Sequence, residues 1–259
     1  MNLGLADKVA LVCGASRGLG RAVAEELAAE GASVAVCSRD ADRLASAAAE
    51  IGPEVLSVPA DLAVAGEPTR VVEATLERFG RVDVLVVNTG GPPAGTHDTL
   101  SPDDWEQATG LLLRSAVELT TAALPGMKER GWGRILAVTS VAVKQPVDNL
   151  MLSNSLRAAV TGFAATLARE VAKDGITVNT ILPGYTSTER VTELNQANAR
   201  REGVDPAEIQ ARLEASIPMG RLAEPHEFAA LGVFLASERA GYITGGAFAV
   251  DGGWLRGLL

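Results

Sequence analysis

The sequence predicts an α/β protein built on a doubly wound, mostly parallel seven-stranded sheet with helices on both faces. Short β-branched runs alternate with longer Ala/Leu/Glu stretches of helical period, which is the βαβ pattern of a parallel sheet. Hydrophobic residues make up 47% of the 259, enough to cover both faces of such a sheet, while only 4% are aromatic, so the predicted core is aliphatic. No compositional break divides the chain, and residues 1–259 are read as a single domain.

The elements follow in order. Val9 to Cys13 and Ala22 to Ala29 form the first strand and helix, Ser33 to Cys37 and Ala41 to Ala49 the second pair. A third strand ends before Asp61, Val82 to Val87 is the fourth, and a long helix is expected from Trp105 to Met127. The second half continues with a strand at Arg134 to Thr139, a helix at Leu156 to Val171, a strand at Thr177 to Leu182, a helix at Pro225 to Leu235 and a last strand at Ala247 to Val250. In such a sheet the ligand lies at the carboxyl ends of the strands, here the loops at 13–20, 37–40, 88–97, 139–153 and 183–190. The polar, helix-prone stretch 185–219 is inserted after a strand, where a substrate lid is expected.

Charge and cysteine usage narrow the function. A formal net charge of -9 opposes nucleic acid and anionic membrane surfaces, leaving a small-molecule substrate as the expected partner. Cys13 and Cys37 each end an apolar run and are read as buried reduced thiols, an expectation that goes with a cytoplasmic protein. No signal-peptide pattern opens the chain, and no apolar run has the length of a membrane span. Two histidines and two cysteines without metal-ligand spacing argue against a zinc or iron site.

The glycine-rich loop Gly14-Ala15-Ser16-Arg17-Gly18-Leu19-Gly20 stands between the first strand and its helix. Glycine permits a tight turn and close backbone approach, and the helix N-terminus offers free N–H groups to a pyrophosphate. This Rossmann-type loop resembles that of the short-chain dehydrogenase/reductase family. The second strand ends in Ser38-Arg39, where a site for NAD(H) more often places a carboxylate. Arg39 and Arg17 suit a 2′-phosphate, so NADP(H) is expected.

Further motifs carry the same resemblance, which spans Lys8 to Trp254. Asp61-Leu62 resembles the family's adenine contact, and Asn88-Thr89-Gly90-Gly91 its Asn-Ala-Gly motif. Pro183-Gly184 with Thr188 resembles the segment holding the nicotinamide, and Thr244-Gly245-Gly246 with Asp251-Gly252-Gly253 the C-terminal signature. The chain resembles 3-oxoacyl-carrier-protein reductases. The resemblance also implies a homo-oligomer, a tetramer or dimer, packed through the helices at Trp105 to Met127 and Leu156 to Val171 and through the last strand.

In this family a serine polarises the substrate carbonyl, a tyrosine thirteen residues later moves the proton, and a lysine four further on tunes the tyrosine; an asparagine on the long helix supports the relay. Ser140 fits the serine position, but the tyrosine and lysine positions hold Ser153 and Arg157, and the asparagine position falls near Leu112. The chain thus resembles an atypical member lacking the active-site Tyr and Lys. An aliphatic hydroxyl is far less acidic than a phenol, and Ser153 is shorter; Arg157 stays protonated, its planar fork suiting a carboxylate or the nicotinamide ribose. Tyr185, just after Pro183-Gly184, is the candidate replacement acid, with water or the substrate itself as alternatives.

Three readings stand open: hydride transfer with NADP(H) on a carbonyl or hydroxyl small molecule; elimination or isomerisation with Ser140, Ser153 and Arg157 binding an anionic intermediate; or a nucleotide-binding regulatory or structural role without turnover. His97 in its Pro/Gly-rich loop, His226 at a helix start, and Lys144 and Asp148 in the loop before Ser153 are secondary candidates, each also readable as a solvated surface residue.

Overall fold

In the computed structural model, which describes residues 2–258, strand β1 (Val9–Cys13) leads into helix α1 (Gly18–Ala29). The alternation continues through β2 (Ser33–Ser38), α2 (Ala41–Ile51), β3 (Leu56–Pro59), α3 (Glu67–Phe79) and β4 (Val84–Val87). Next come α4 (Pro102–Thr109), a π-helical turn over Gly110–Arg114, α5 (Ser115–Arg130), β5 (Gly133–Val138) and α6 (Met151–Val171). Then β6 (Ile176–Pro183), α7 (Glu189–Glu202), α8 (Pro206–Ser216), α9 (Pro225–Ala236) and β7 (Ala247–Val250) complete the order.

The seven strands pair in parallel in the order β3-β2-β1-β4-β5-β6-β7. The chain winds outward from β1 to β3, then returns to β4 on the other side of β1, so the crevice between the carboxyl ends of β1 and β4 is the topological switch point. β1, β4 and β5 are buried at every residue, which is why β1 and β4 read as unbroken apolar runs rather than alternating ones, while β5 carries one buried charge, Arg134. One face is covered by α3, α5 and α6 through Val72, Leu119, Met127 and Leu167; the other by α1, α2 and α9 through Leu27, Leu44 and Phe228. Cys13 and Cys37 are register partners on β1 and β2, both free thiols and fully buried. The neighbouring Cys37 thiol, together with burial, holds the Cys13 thiol well above the usual range.

The structure corrects several boundaries. β4 starts at Val84 rather than Val82, because Asp83 precedes it as a buried anchor: its carboxylate accepts the Val9 N–H at 2.9 Å and pairs with Arg81 at 2.7 Å. β5 begins and ends one residue earlier than expected. The long helix starts at Pro102, where Ser101 and Asp104 form a capping box, and it is broken by the π turn. α6 starts at Met151, five residues before Leu156, so Ser153 and Arg157 lie one turn apart on the same helix face. Helix α3, with Gly66 and Gly80 left-handed at its two ends, goes beyond the sequence expectation. Among the described residues no helix is long and apolar enough to cross a membrane.

Candidate active site

The glycine-rich loop is shaped by backbone proximity. Gly14 and Gly18 have φ of 60° and 58°, a region that β-carbons disfavour. A Cβ on Gly20 would lie 2.4 Å from the Gly14 carbonyl oxygen, so only glycine lets α1 begin this close to β1. Asn88, at the end of β4, donates from Nδ2 to the carbonyls of Cys13 and Gly14, both at 3.2 Å, and so joins the two sides of the switch point.

Beside the loop lies a pocket walled by Gly14, Ser16, Arg17, Ser38, Arg39, Arg43, Leu62, Asn88 and Gly90. Three guanidiniums therefore stand around its mouth. Arg43 is a residue the sequence reading missed: it sits in the first turn of α2, where Asp40 caps the helix by accepting the Arg43 N–H at 3.0 Å. Arg17 is paired with Glu189 and, at 3.1 Å, with Glu193, both on α7, and Arg43 reaches the same Glu189 carboxylate.

This pocket adjoins a cavity of about 390 Å³ that reaches from Gly14, Gly18, Leu19 and Arg39 to Ser140, Ser153, Arg157, Pro183, Gly184, Tyr185 and Thr188. Nearly all the residues singled out in the sequence thus meet in one continuous space. Gly20 and Asp61 do not line it; Gly20 packs inward, and Asp61 accepts the Ala63 N–H at 3.0 Å in its own turn. Leu112 is in the π turn and buried in an apolar cluster with Ala108, Leu152 and Leu156, away from the cavity wall. His97, His226, Lys144 and Asp148 are exposed and outside the cavity lining.

At the inner end, Ser140 Oγ accepts the Ala142 N–H at 3.1 Å, which orients the oxygen and leaves its O–H free to donate. Ser153 is in the first turn of α6, and Arg157 donates from Nη1 to the Val138 carbonyl at 2.9 Å. Burial, with repulsion from Arg190, pushes the Arg157 guanidinium down to about 10. Tyr185 stacks edge-on against Trp254 with ring centroids 5.7 Å apart; burial, with the Asp148 charge, raises its phenol above the ordinary value.

Two further wall residues escaped the sequence reading. Thr186 is buried with its Oγ1 unpartnered, and Arg190 donates from Nη2 to the Pro92 carbonyl at 3.0 Å. Only the unusual density of charge at the start of α7 hinted at the second.

A glycine-rich strand-to-helix turn at the switch point, opening into a cavity with a serine at the end of β5, defines a dinucleotide-dependent α/β enzyme. The family described as Enoyl-(Acyl carrier protein) reductase matches residues 14–255. The 3-oxoacyl-[acyl-carrier-protein] reductase of Synechocystis sp. is 36% identical over 258 residues, covering 96% of this chain and 97% of that protein. D-beta-hydroxybutyrate dehydrogenase of Cupriavidus necator is 35% identical over 257 residues, covering 97% of this chain and 99% of its own. L-Sorbose reductase from Gluconobacter frateurii, solved with NADPH and L-sorbose, superposes with a TM-score of 0.94 at 37% identity, over 100% of both chains. The chain belongs to the short-chain dehydrogenase/reductase family and is an oxidoreductase of that family.

Proposed function

We propose that this chain transfers hydride between NADP(H) and a small molecule bearing a carbonyl or hydroxyl group, using an altered proton-transfer site in which Ser153 and Arg157 stand where the family carries Tyr and Lys. The continuity of the cavity carries this reading: it runs without a break from the glycine-rich loop and Arg39 to Ser140, Ser153 and Tyr185.

Arg17, Arg39 and Arg43 supply the charge and forked donors that a 2′-phosphate needs, and L-sorbose reductase was solved with NADPH. The α1 N-terminus with Gly14, Gly18 and Leu19 would hold the diphosphate, and Pro183, Gly184 and Thr188, with the free hydroxyl of Thr186, would hold the nicotinamide end. The bound cofactor supplies the hydride. Ser140 donates a hydrogen bond to the substrate carbonyl oxygen, and Tyr185, protonated at neutral pH, gives that oxygen its proton. Arg157 holds positive charge beside the reacting groups and does not shuttle the proton.

The segment 185–219 closes over this site as a lid within a single domain. Helices α7 and α8 bury only Asn195, Ala199 and Ile209, so little apolar contact opposes their movement. The outer face of α6 carries Ala158, Ala159, Gly162 and Ala165, all exposed, a surface that lets a second helix approach closely and supports the expected homo-oligomer. The buried free thiols fit a cytoplasmic setting.

NADPH deuterated at the transferable position, incubated with the protein and a metabolite extract, tests the reading. A labelled small molecule, absent with Ser140→Ala, is the expected result. Intact NADPH binding without any label would overturn it in favour of the elimination, isomerisation or regulatory readings.

A further inference from the structure

Of the two guanidiniums Arg157 and Arg190 on the cavity wall, Arg157 has no carboxylate partner among the described residues and Arg190 has only a long one. Arg157, from α6, makes one hydrogen bond, to the Val138 carbonyl, and the charged side chain that acts on it is another cation, Arg190. Arg190, from α7, is held over the loop after β4 by the Pro92 carbonyl, and its nearest carboxylate, on Glu193, is 3.9 Å away. That carboxylate is closer to Arg17, at 3.1 Å. The acids on the cavity wall, Glu189 and Glu193, are thus drawn to the cofactor end, where Arg17 and Arg43 engage them. The cavity is polarised, with the Arg157 guanidinium, which no carboxylate meets, lining it together with Ser140 and Ser153.

A half-buried guanidinium repelled by a second cation on the same cavity wall is unfavourable unless an anion joins them. The planar fork of arginine selects a planar, two-oxygen anion. The α1 N-terminus, with Gly14, Gly18 and Leu19, would hold the cofactor's diphosphate without either of these arginines. The wall of the same cavity carries the aliphatic side chains Val141, Val147 and Leu150.

We propose that Arg157 and Arg190 together bind a carboxylate of the substrate, which makes the substrate an oxo acid, or in the reverse direction a hydroxy acid, with a short apolar body. This inference rests on the oxidoreductase reading above and narrows it: the carboxylate anchors the molecule while its carbonyl meets Ser140. Because Arg190 belongs to the lid segment, the same contact would draw α7 down over the substrate.

The test uses the full chain saturated with NADP⁺ and isothermal titration with matched acids and carboxamides: 3-hydroxybutyrate, 4-methylpentanoate and benzoate, each against its amide. At least one acid is expected to bind ten-fold or more tightly than its amide. That preference should shrink to within three-fold in Arg190→Gln and in Arg157→Lys, with NADP⁺ affinity within two-fold of the parent. Arg190 is partly exposed, so its variant is expected to fold, and circular dichroism melting verifies this. Acids and amides that bind alike, or no binding by any acid, would overturn the proposal; so would a ten-fold loss of NADP⁺ affinity in Arg190→Gln, which would assign that guanidinium to the cofactor. The deuterium experiment separates the two levels. Acid-selective binding without label transfer removes the oxidoreductase reading and keeps the carboxylate site, whereas a labelled product lacking a carboxylate does the reverse.

Discussion

Arg17 of the glycine-rich loop and Arg43 of α2 share one carboxylate, that of Glu189 in the first turn of α7, with Arg43 Nη1 at 3.1 Å from Glu189 Oε2. Glu189 thereby occupies the charge that a 2′-phosphate would use. Exposed pairs of this kind contribute roughly 0.2–1 kcal/mol each. Glu189→Gln should therefore tighten NADPH binding by a few-fold, measured by quenching of protein fluorescence or enhancement of nicotinamide emission. Unchanged or weaker binding would mean that α7 does not compete with the cofactor.

Cofactor choice should depend on Arg39, which Glu189 does not engage, and on Arg43, which it does. Hydrogen bonds to charged groups are worth about 1.5–3 kcal/mol, or roughly 10- to 100-fold in affinity. Arg39→Ala and Arg43→Ala are each expected to weaken NADPH within that range and to leave NADH nearly unchanged. Equal losses for both nucleotides would remove the 2′-phosphate assignment.

The pH profile reports on Tyr185. Its phenol is raised by burial and by the Asp148 charge, so the protonated, donating form persists further into alkaline conditions than for an ordinary tyrosine. Reduction should stay level through neutral pH and fall only beyond the usual tyrosine range. Asp148→Asn removes a charge that raises the phenol and should move that fall to lower pH, while Tyr185→Phe should abolish the limb and lower kcat by about 10²-fold or more. A Tyr185→Phe enzyme with parental turnover would pass the proton to water or the substrate.

Gly20→Ala tests the loop as packing rather than chemistry. The added Cβ meets the Gly14 carbonyl oxygen at 2.4 Å, and the backbone on both sides must shift. Overpacking of this type costs about 1–3 kcal/mol, and for a chain of this size a kilocalorie lowers Tm by roughly 2–4 °C. Thermal melting should show the loss, with NADPH affinity falling in parallel as the diphosphate cradle opens.

The sheet was readable in the sequence because a parallel strand buried on both faces leaves an unbroken apolar run such as Val84–Val87, and because glycine spacing marks the one turn where β1 and α1 nearly touch. Ser140, Ser153 and Arg157 followed from position on a known pattern, and they share the cavity. Contacts between distant segments were not readable: Arg17 meets Glu189 across 172 positions, and no periodicity encodes that meeting. Arg43, Glu189 and Arg190 look like solvated charges on amphipathic helices until the fold brings α2 and α7 to the same crevice. Asp61, expected after a strand as an adenine contact, uses one carboxylate oxygen to accept the Ala63 N–H in its own turn. The π turn at Gly110–Arg114 likewise leaves no compositional trace in a helix that reads as continuous.

The two ends of the segment over the cavity are clipped together: Ser187 donates its N–H to the Ala223 carbonyl at 2.8 Å, and the Ala223 N–H to the Tyr185 carbonyl at 3.0 Å. Whatever lies between those points begins and ends at one spot, so its length and composition can change at a loop-closure cost that grows only slowly, while β6 and β7 keep their register. The excursion is therefore mechanically separable from the sheet: a graft joined at Tyr185 and Ala223 would leave the strand register beneath it intact.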